Sequence, residues 1–294
     1  MRVFFSPEYE VALPGHVWPT SKYRLIKERC ASTVPGLIVQ EPTRASWDEL
    51  TLVHSPEYLE KLQNNTLTQH ELTTLELPWR PELADGFRRM VGGTCAAARA
   101  ALEDGSAAHL GGGLHHAFAA HGEGFCPLND VAVAIRVLQR DGAVARAAVV
   151  DLDVHHGNGT AMIFERDPRV FTFSMHQQHN YPFFKPRSDL DIGLEDGAGD
   201  DSYLTRLRGA LPRVIESNPE VIVYLAGADP FEHDQLGGLR LTKAGLRERD
   251  RLVIGASRRA AVPLVTVLAG GYAQDVRDTV DIHAATVEEM AGLH

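Results

Sequence analysis

At 294 residues, with 44% hydrophobic and 23% charged residues, the chain has an ordinary globular composition and length enough for one large core, which excludes extended disorder. Its 39 acidic residues outnumber 29 basic ones for a net charge of −10, and with no local basic patch a direct nucleic-acid partner is not expected. A neutral or cationic ligand suits this balance better.

The chain opens MRVFFSPEYE, where Val3, Phe4 and Phe5 run into Ser6, Pro7 and Glu8, too short an apolar stretch for a signal-peptide core. No later run approaches a membrane span. Cys30, Cys95 and Cys126 stand far apart in no pairing or zinc-ribbon spacing, so reduced thiols are expected. These features predict a cytoplasmic protein without a membrane partner, or a nuclear one if its source has a nucleus.

Short apolar, β-branched runs then alternate with segments of helical length. Strands are predicted over residues 3–5, 37–39, 107–110, 147–154, 170–174, 221–226 and 264–268, and the clearest helices over 81–102, 129–140, 202–216, 241–259 and 274–290. Asp104-Gly105 and Asp141-Gly142 end two of these helices. The alternation predicts a single α/β domain over residues 1–294, with a mostly parallel central sheet flanked by helices.

Ligands of such sheets bind beyond the C-terminal strand ends, and the polar residues that look chemical fall there. His115 and His116 follow the strand at 107–110 in GGGLHHA; Asp151 to Asn158 follow the next; Asp229 follows 221–226, and Tyr272 follows 264–268. In VVDLDVHHGNGT, residues 149–160, a strand period of two puts Asp151, Asp153 and His155 on one side. Asp153 and His155 then offer an oxygen and a nitrogen to one ion, while Asp151 is placed to orient a neighbouring imidazole. Each feature alone has a plainer reading: a satisfied buried strand end, incidental loop histidines, an Asp229 helix cap before Pro230, a packed Tyr272 ring. Four runs converging on one rim favour the joint, chemical reading.

GGGLHHAFAAHGEGFCPLNDVAVAI, VVDLDVHHGNGT, FTFSMH, AGADPFEHDQLGGLRLT and LAGGY resemble the zinc-dependent histone deacetylase family, which also contains acetylpolyamine amidohydrolases. HVWPTSKYRLI and VHSPEYLEKL extend the resemblance toward the start, and GGGLHH with Asn158 is most similar to the class IV branch and its bacterial relatives. The resemblance implies an arginase-like three-layer fold and metal-dependent hydrolysis of acyl-amines. It implies Asp153, His155 and Asp229 as ligands of Zn²⁺ or another divalent ion, His116 as general base and acid, and His115 as its charged partner oriented by Asp151. It further implies Tyr272 as donor to the oxyanion, Gly124 and Phe125 in a narrow substrate tunnel with Phe183 or Phe184 opposite, and a structural K⁺ near Asp151 and Ser174.

Asn158 departs from the aspartate that many family members carry; a neutral amide orients His116 without raising its basicity. No acidic clamp for a peptide backbone is identified over residues 77–82. A binuclear ureohydrolase is disfavoured by Gly157, and by Pro230 and Phe231 after Asp229, where further carboxylates would be needed. A non-catalytic acyl-lysine binder would not need His116 and Tyr272. Expected substrates are acyl-lysine in proteins or peptides, or small acyl-amines such as acetylpolyamines; acyl length and oligomeric state are not legible.

Overall fold

A computed structural model describes residues 1–293. In chain order the elements are β1 (Arg2–Phe4), α1 (Lys22–Thr33), β2 (Ile38–Gln40), α2 (Trp47–Leu50), α3 (Pro56–Asn64), α4 (Gln69–Leu75), α5 (Pro81–Asp104), β3 (Ser106–His109) and α6 (Asp130–Arg140). They continue with β4 (Ala147–Asp151), α7 (Asn158–Phe164), β5 (Val170–Gln177), β6 (Leu190–Leu194), α8 (Asp200–Glu216), β7 (Ile222–Leu225), α9 (Lys243–Ala260), β8 (Leu264–Val267) and α10 (Val276–Met290).

The strands form one parallel sheet of eight in the order β2-β1-β3-β8-β7-β4-β5-β6. The central strands β4, β7 and β8 are buried throughout and show no alternation of polarity, because both faces of the sheet are covered there. On β4, Val149 packs into one core with Phe87 and Val91 of α5 and Val131 and Ile135 of α6. Ala148 and Val150 point the other way, into a second core with Leu207, Leu246, Val253 and Ile282 of α8, α9 and α10. The result is the three-layer α/β arrangement expected from the sequence. As expected, Gly105 closes α5 in the left-handed conformation at φ 83°, its N–H reaching Ala101. No helix among the described residues is long and apolar enough to cross a membrane.

Two differences from the sequence expectation matter for the site. The strand expected over 147–154 stops at Asp151, the last residue of β4 paired with both β5 and β7. Beyond it the backbone N–H groups of Asp153, Val154 and His155 donate to Asp151 Oδ1, Asp229 Oδ1 and Asp153 Oδ1 at 3.2, 2.9 and 2.9 Å. Carboxylates have replaced strand partners, so Asp153 and His155 stand in a loop and not on a period-two edge. The second difference is β6, an edge strand that the sequence reading passed over because Asp191 and Gly193 interrupt its apolar pattern.

Candidate active site

The loops after β3, β4, β7 and β8 meet at one rim, which is the position the strand-end rule requires. Asp130, at the start of α6, holds the loop after β3 by accepting from the N–H groups of Gly113 and Leu114 at 3.0 and 2.7 Å. Gly113 is at φ 82°, and a Cβ there would lie 2.6 Å from Ala269 Cα of the loop after β8. The two loops therefore close on each other, and His115 and His116 are delivered to the centre.

His115 Nδ1 is 2.7 Å from Asp151 Oδ2, and His116 Nδ1 is 2.8 Å from Asn158 Oδ1, the pairing expected for both. The two imidazoles meet through their Nε2 atoms at 3.1 Å. Burial disfavours charge on His115, but Asp151 and Asp153 outweigh it and push its pKa up to about 9. His116 goes the other way: burial, followed by the positive neighbours His115 and His155, holds it well below the usual range. The two adjacent rings are thus pushed in opposite directions, His115 toward its charged form and His116 toward its neutral form.

Asp153, His155 and Asp229 bring three donor atoms within 4.8 Å of one another. His155 Nδ1 is 3.0 Å from Asp153 Oδ1 and 3.4 Å from Asp229 Oδ2. Each carboxylate is anchored by its other oxygen: Asp153 Oδ2 accepts from Gly270 N–H at 2.8 Å, and Asp229 Oδ1 from Val154 N–H. Asp229 Oδ2 is buried without a hydrogen bond among the described residues. Burial alone would lower the pKa of His155, yet the two carboxylates raise it to about 10, so a proton gathers where two buried anions converge. An orphaned carboxylate oxygen and a carboxylate pair demanding positive charge fit a divalent cation held by one nitrogen and two oxygens.

A second trio, His156, His176 and Asp191, also brings donors within 4.8 Å. There His156 Nε2 lies 3.2 Å from Asp191 Oδ1, and His156 Nδ1 is buried with no partner among the described residues. Asp191 is exposed and is the only carboxylate of this trio, whereas the first trio is fully buried and brings two carboxylates. The first trio is the better metal centre. Asp151 and Ser174, named for a K⁺ site, are register partners on β4 and β5.

Above the trio the cavity is lined by Trp18, Gly124, Phe125, Tyr181, Leu236 and Tyr272, among others. Phe125 packs edge-on to Tyr272 with ring centroids 6.0 Å apart. The expectation that Phe183 or Phe184 forms the facing wall is corrected: both project outward, 104% and 62% exposed. Tyr181 takes that place, its ring edge-on to His116 at 5.1 Å. The reason is polar, since the Tyr181 hydroxyl donates to Glu123 Oε1 at 3.0 Å, a tether that phenylalanine cannot make.

Other residues of the site escaped the sequence reading. Lys22, fully buried on α1, donates through Nζ to the carbonyls of Ala269 and Gly271 at 3.2 and 3.3 Å and so holds the loop that carries Tyr272. Burial pushes its pKa down to about 8. Glu76, just ahead of residues 77–82, lines the cavity in the left-handed conformation at φ 56°. Glu123 lies behind Asn158. Lys22 and Glu123 lie inside segments that carry the family resemblance, but their local spacing marks no role; contacts from distant segments place them.

A parallel α/β fold with two histidines and a two-carboxylate, one-histidine centre at its strand ends defines the class, and the comparisons agree. The sequence pattern of the histone deacetylase domain matches residues 16–287, and the chain belongs to that family. It is 42% identical over 291 residues to an uncharacterized protein of Picosynechococcus sp. strain PCC 7002, covering 96% of this chain and 95% of that one. It is 30% identical over 306 residues to histone deacetylase 2 of Arabidopsis thaliana, covering 98% and 78%. The crystal structure of the HDA15 HD domain superposes with a TM-score of 0.82 at 24% identity, covering 99% of this chain and 91% of that chain, and shows the shared fold. The family match and the Arabidopsis relative support a deacetylase function, and family membership supports a hydrolase.

Proposed function

We propose that the protein hydrolyses acylated amines, acyl-lysine side chains foremost, by general acid–base catalysis at a divalent metal centre. The observation that carries this reading is the His115–His116 pair, backed by Asp151 and Asn158, beside the Asp153, His155 and Asp229 donors in an aromatic-walled cavity. A divalent ion such as Zn²⁺, when bound there, supplies Lewis acidity toward the carbonyl and the attacking water.

The remaining work falls to side chains. His116 takes a proton through Nε2 from the attacking water and returns it to the departing amine nitrogen, which would otherwise leave as a poor anion. The His115 cation, held by Asp151, offsets negative charge as it develops. Tyr272 donates its hydroxyl to the oxyanion, and burial beside Asp153 and Asp229 raises its pKa so that it keeps its proton. Trp18, Phe125 and Tyr181 exclude water and hold an alkyl stem. A K⁺ near Asp151 and Ser174 belongs to the same reading.

Glu76, which lines the cavity, favours a second reading, a small cationic acyl-amine such as an acetylpolyamine, because an exposed carboxylate beside the cavity attracts a free ammonium group. The test is turnover of acetyl-lysine peptide, long-chain acyl-lysine peptide and acetylputrescine by zinc-loaded protein, each with a chelated control. Peptide turnover abolished by chelation supports the lysine deacylase; turnover of acetylputrescine alone replaces it with the small-molecule enzyme. Turnover that survives chelation overturns the metal centre.

A further inference from the structure

Glu123 is absent from the mechanism above, yet it touches two of its parts. Oε1 accepts from Asn158 Nδ2 at 2.7 Å and from the Tyr181 hydroxyl at 3.0 Å, while Oε2 lies 3.6 Å from His121 Nε2. Asn158 is fully buried at the start of α7 and presents its Oδ1 to His116 Nδ1. The three residues form a chain from carboxylate to amide to imidazole.

The direction of that chain is set by Glu123. A carboxylate only accepts, so Asn158 must turn its NH₂ toward Glu123; the reverse orientation would place an amide oxygen against a carboxylate oxygen at hydrogen-bond distance. The amide carbonyl is then left facing His116, and a carbonyl also only accepts. His116 must carry its proton on Nδ1 and keep the Nε2 lone pair for chemistry. The backbone supports this closeness. Gly124 is at φ 50°, and a Cβ there would lie 2.8 Å from His116 Cδ2 and 3.0 Å from the Tyr181 hydroxyl. Only a residue without a side chain lets the Glu123 segment lie against both.

We propose that Glu123 is a positioning residue for His116: through Asn158 it holds the imidazole proton on Nδ1, and through Tyr181 it holds the tunnel wall against the same ring. The kinetic part of this inference rests on the hydrolase reading; the hydrogen-bond part does not. The arrangement also accounts for an amide at position 158. A carboxylate there would meet that of Glu123 at about the 2.7 Å the amide now spans, and two carboxylates that close cannot both remain ionised.

Two experiments test it. In metal-free protein, the proton NMR signal of His116 Nδ1–H is expected downfield, and Glu123→Ala is expected to move it upfield or broaden it by exchange; an unmoved signal overturns the proposal. In zinc-loaded protein, Glu123→Ala is expected to lower kcat roughly 10–100-fold, the usual size of an outer-shell loss, with a smaller effect on KM. Asn158→Asp alone is expected to lower kcat at least about tenfold through carboxylate repulsion. Adding the isosteric Glu123→Gln should recover most of that loss, because a glutamine amide donates where two carboxylates repel. Independent, additive effects of the two substitutions overturn the proposal. If the wild type turns over no acylated amine, the hydrolase reading fails, and the NMR result alone decides the role of Glu123.

Discussion

His115 Nε2 lies 3.1 Å from His116 Nε2, and the two rings are pushed in opposite directions: Asp151 and Asp153 outweigh burial at His115, whereas burial and the neighbours His115 and His155 hold the pKa of His116 down. On the proposed mechanism, two adjacent histidines of identical chemistry are divided between electrostatic and proton-transfer work.

Removal of a metal donor should remove metal and activity together. His155→Ala and Asp229→Ala are each expected to retain less than a tenth of the zinc that wild type keeps after dialysis, with hydrolysis lost in proportion. Metal content by atomic emission checks this, and an active variant without metal refutes the ligand assignment.

Tyr272→Phe keeps the ring against Phe125 and deletes one donor. The expected loss is about 10²–10³ in kcat with KM little changed, the usual consequence of removing an oxyanion donor. Steady-state kinetics on the best peptide of the panel checks it, and an unchanged kcat removes Tyr272 from the mechanism.

Acid should destabilise the fold through histidines outside the reacting centre. Burial pushes the pKa of His54 down to about 4 and that of His109 down to about 3, against 6.5 when exposed. Between those values the unfolded chain binds more protons than the folded one, so stability is complete above pH 6.5 and falls as the pH drops toward 4 and 3. The expected slope is about 1.4 kcal/mol per pH unit per histidine. Urea unfolding of metal-free protein at pH 7, 6 and 5 measures it. His109→Gln should flatten the slope, and an equal slope in the variant would refute the assignment.

The tunnel wall distinguishes aromatic neighbours in sequence. Tyr181→Ala is expected to raise KM for an acyl-lysine peptide roughly tenfold, whereas Phe183→Ser should leave KM for a short substrate within about twofold, as an exposed side chain away from the cavity requires. The reverse order would restore Phe183 as the wall.

What the sequence by itself determined is what local spacing encodes. Alternating strands and helices imply a parallel sheet, a parallel sheet implies a rim, and His115, His116, Asp151, Asp153, Asp229 and Tyr272 all stand at or within seven residues after strand ends. That proximity is covalent, so it survives any error in strand length: β4 stops three residues early and Asp153 and His155 still reach the centre.

Only the tertiary structure decided which distant groups complete those residues. Tyr181 is 58 positions from Glu123, and Lys22 is 247 from the Ala269 carbonyl it holds. Neither pairing leaves a trace in periodicity or composition. The sequence offered Phe183 or Phe184 for the facing wall, because apolar content alone ranks phenylalanine first; one hydroxyl within reach of a half-buried carboxylate placed Tyr181 there instead. Hydrogen bonds of that kind are directional and need both partners in place, and the partners meet only after the sheet has assembled and its loops have closed on one another.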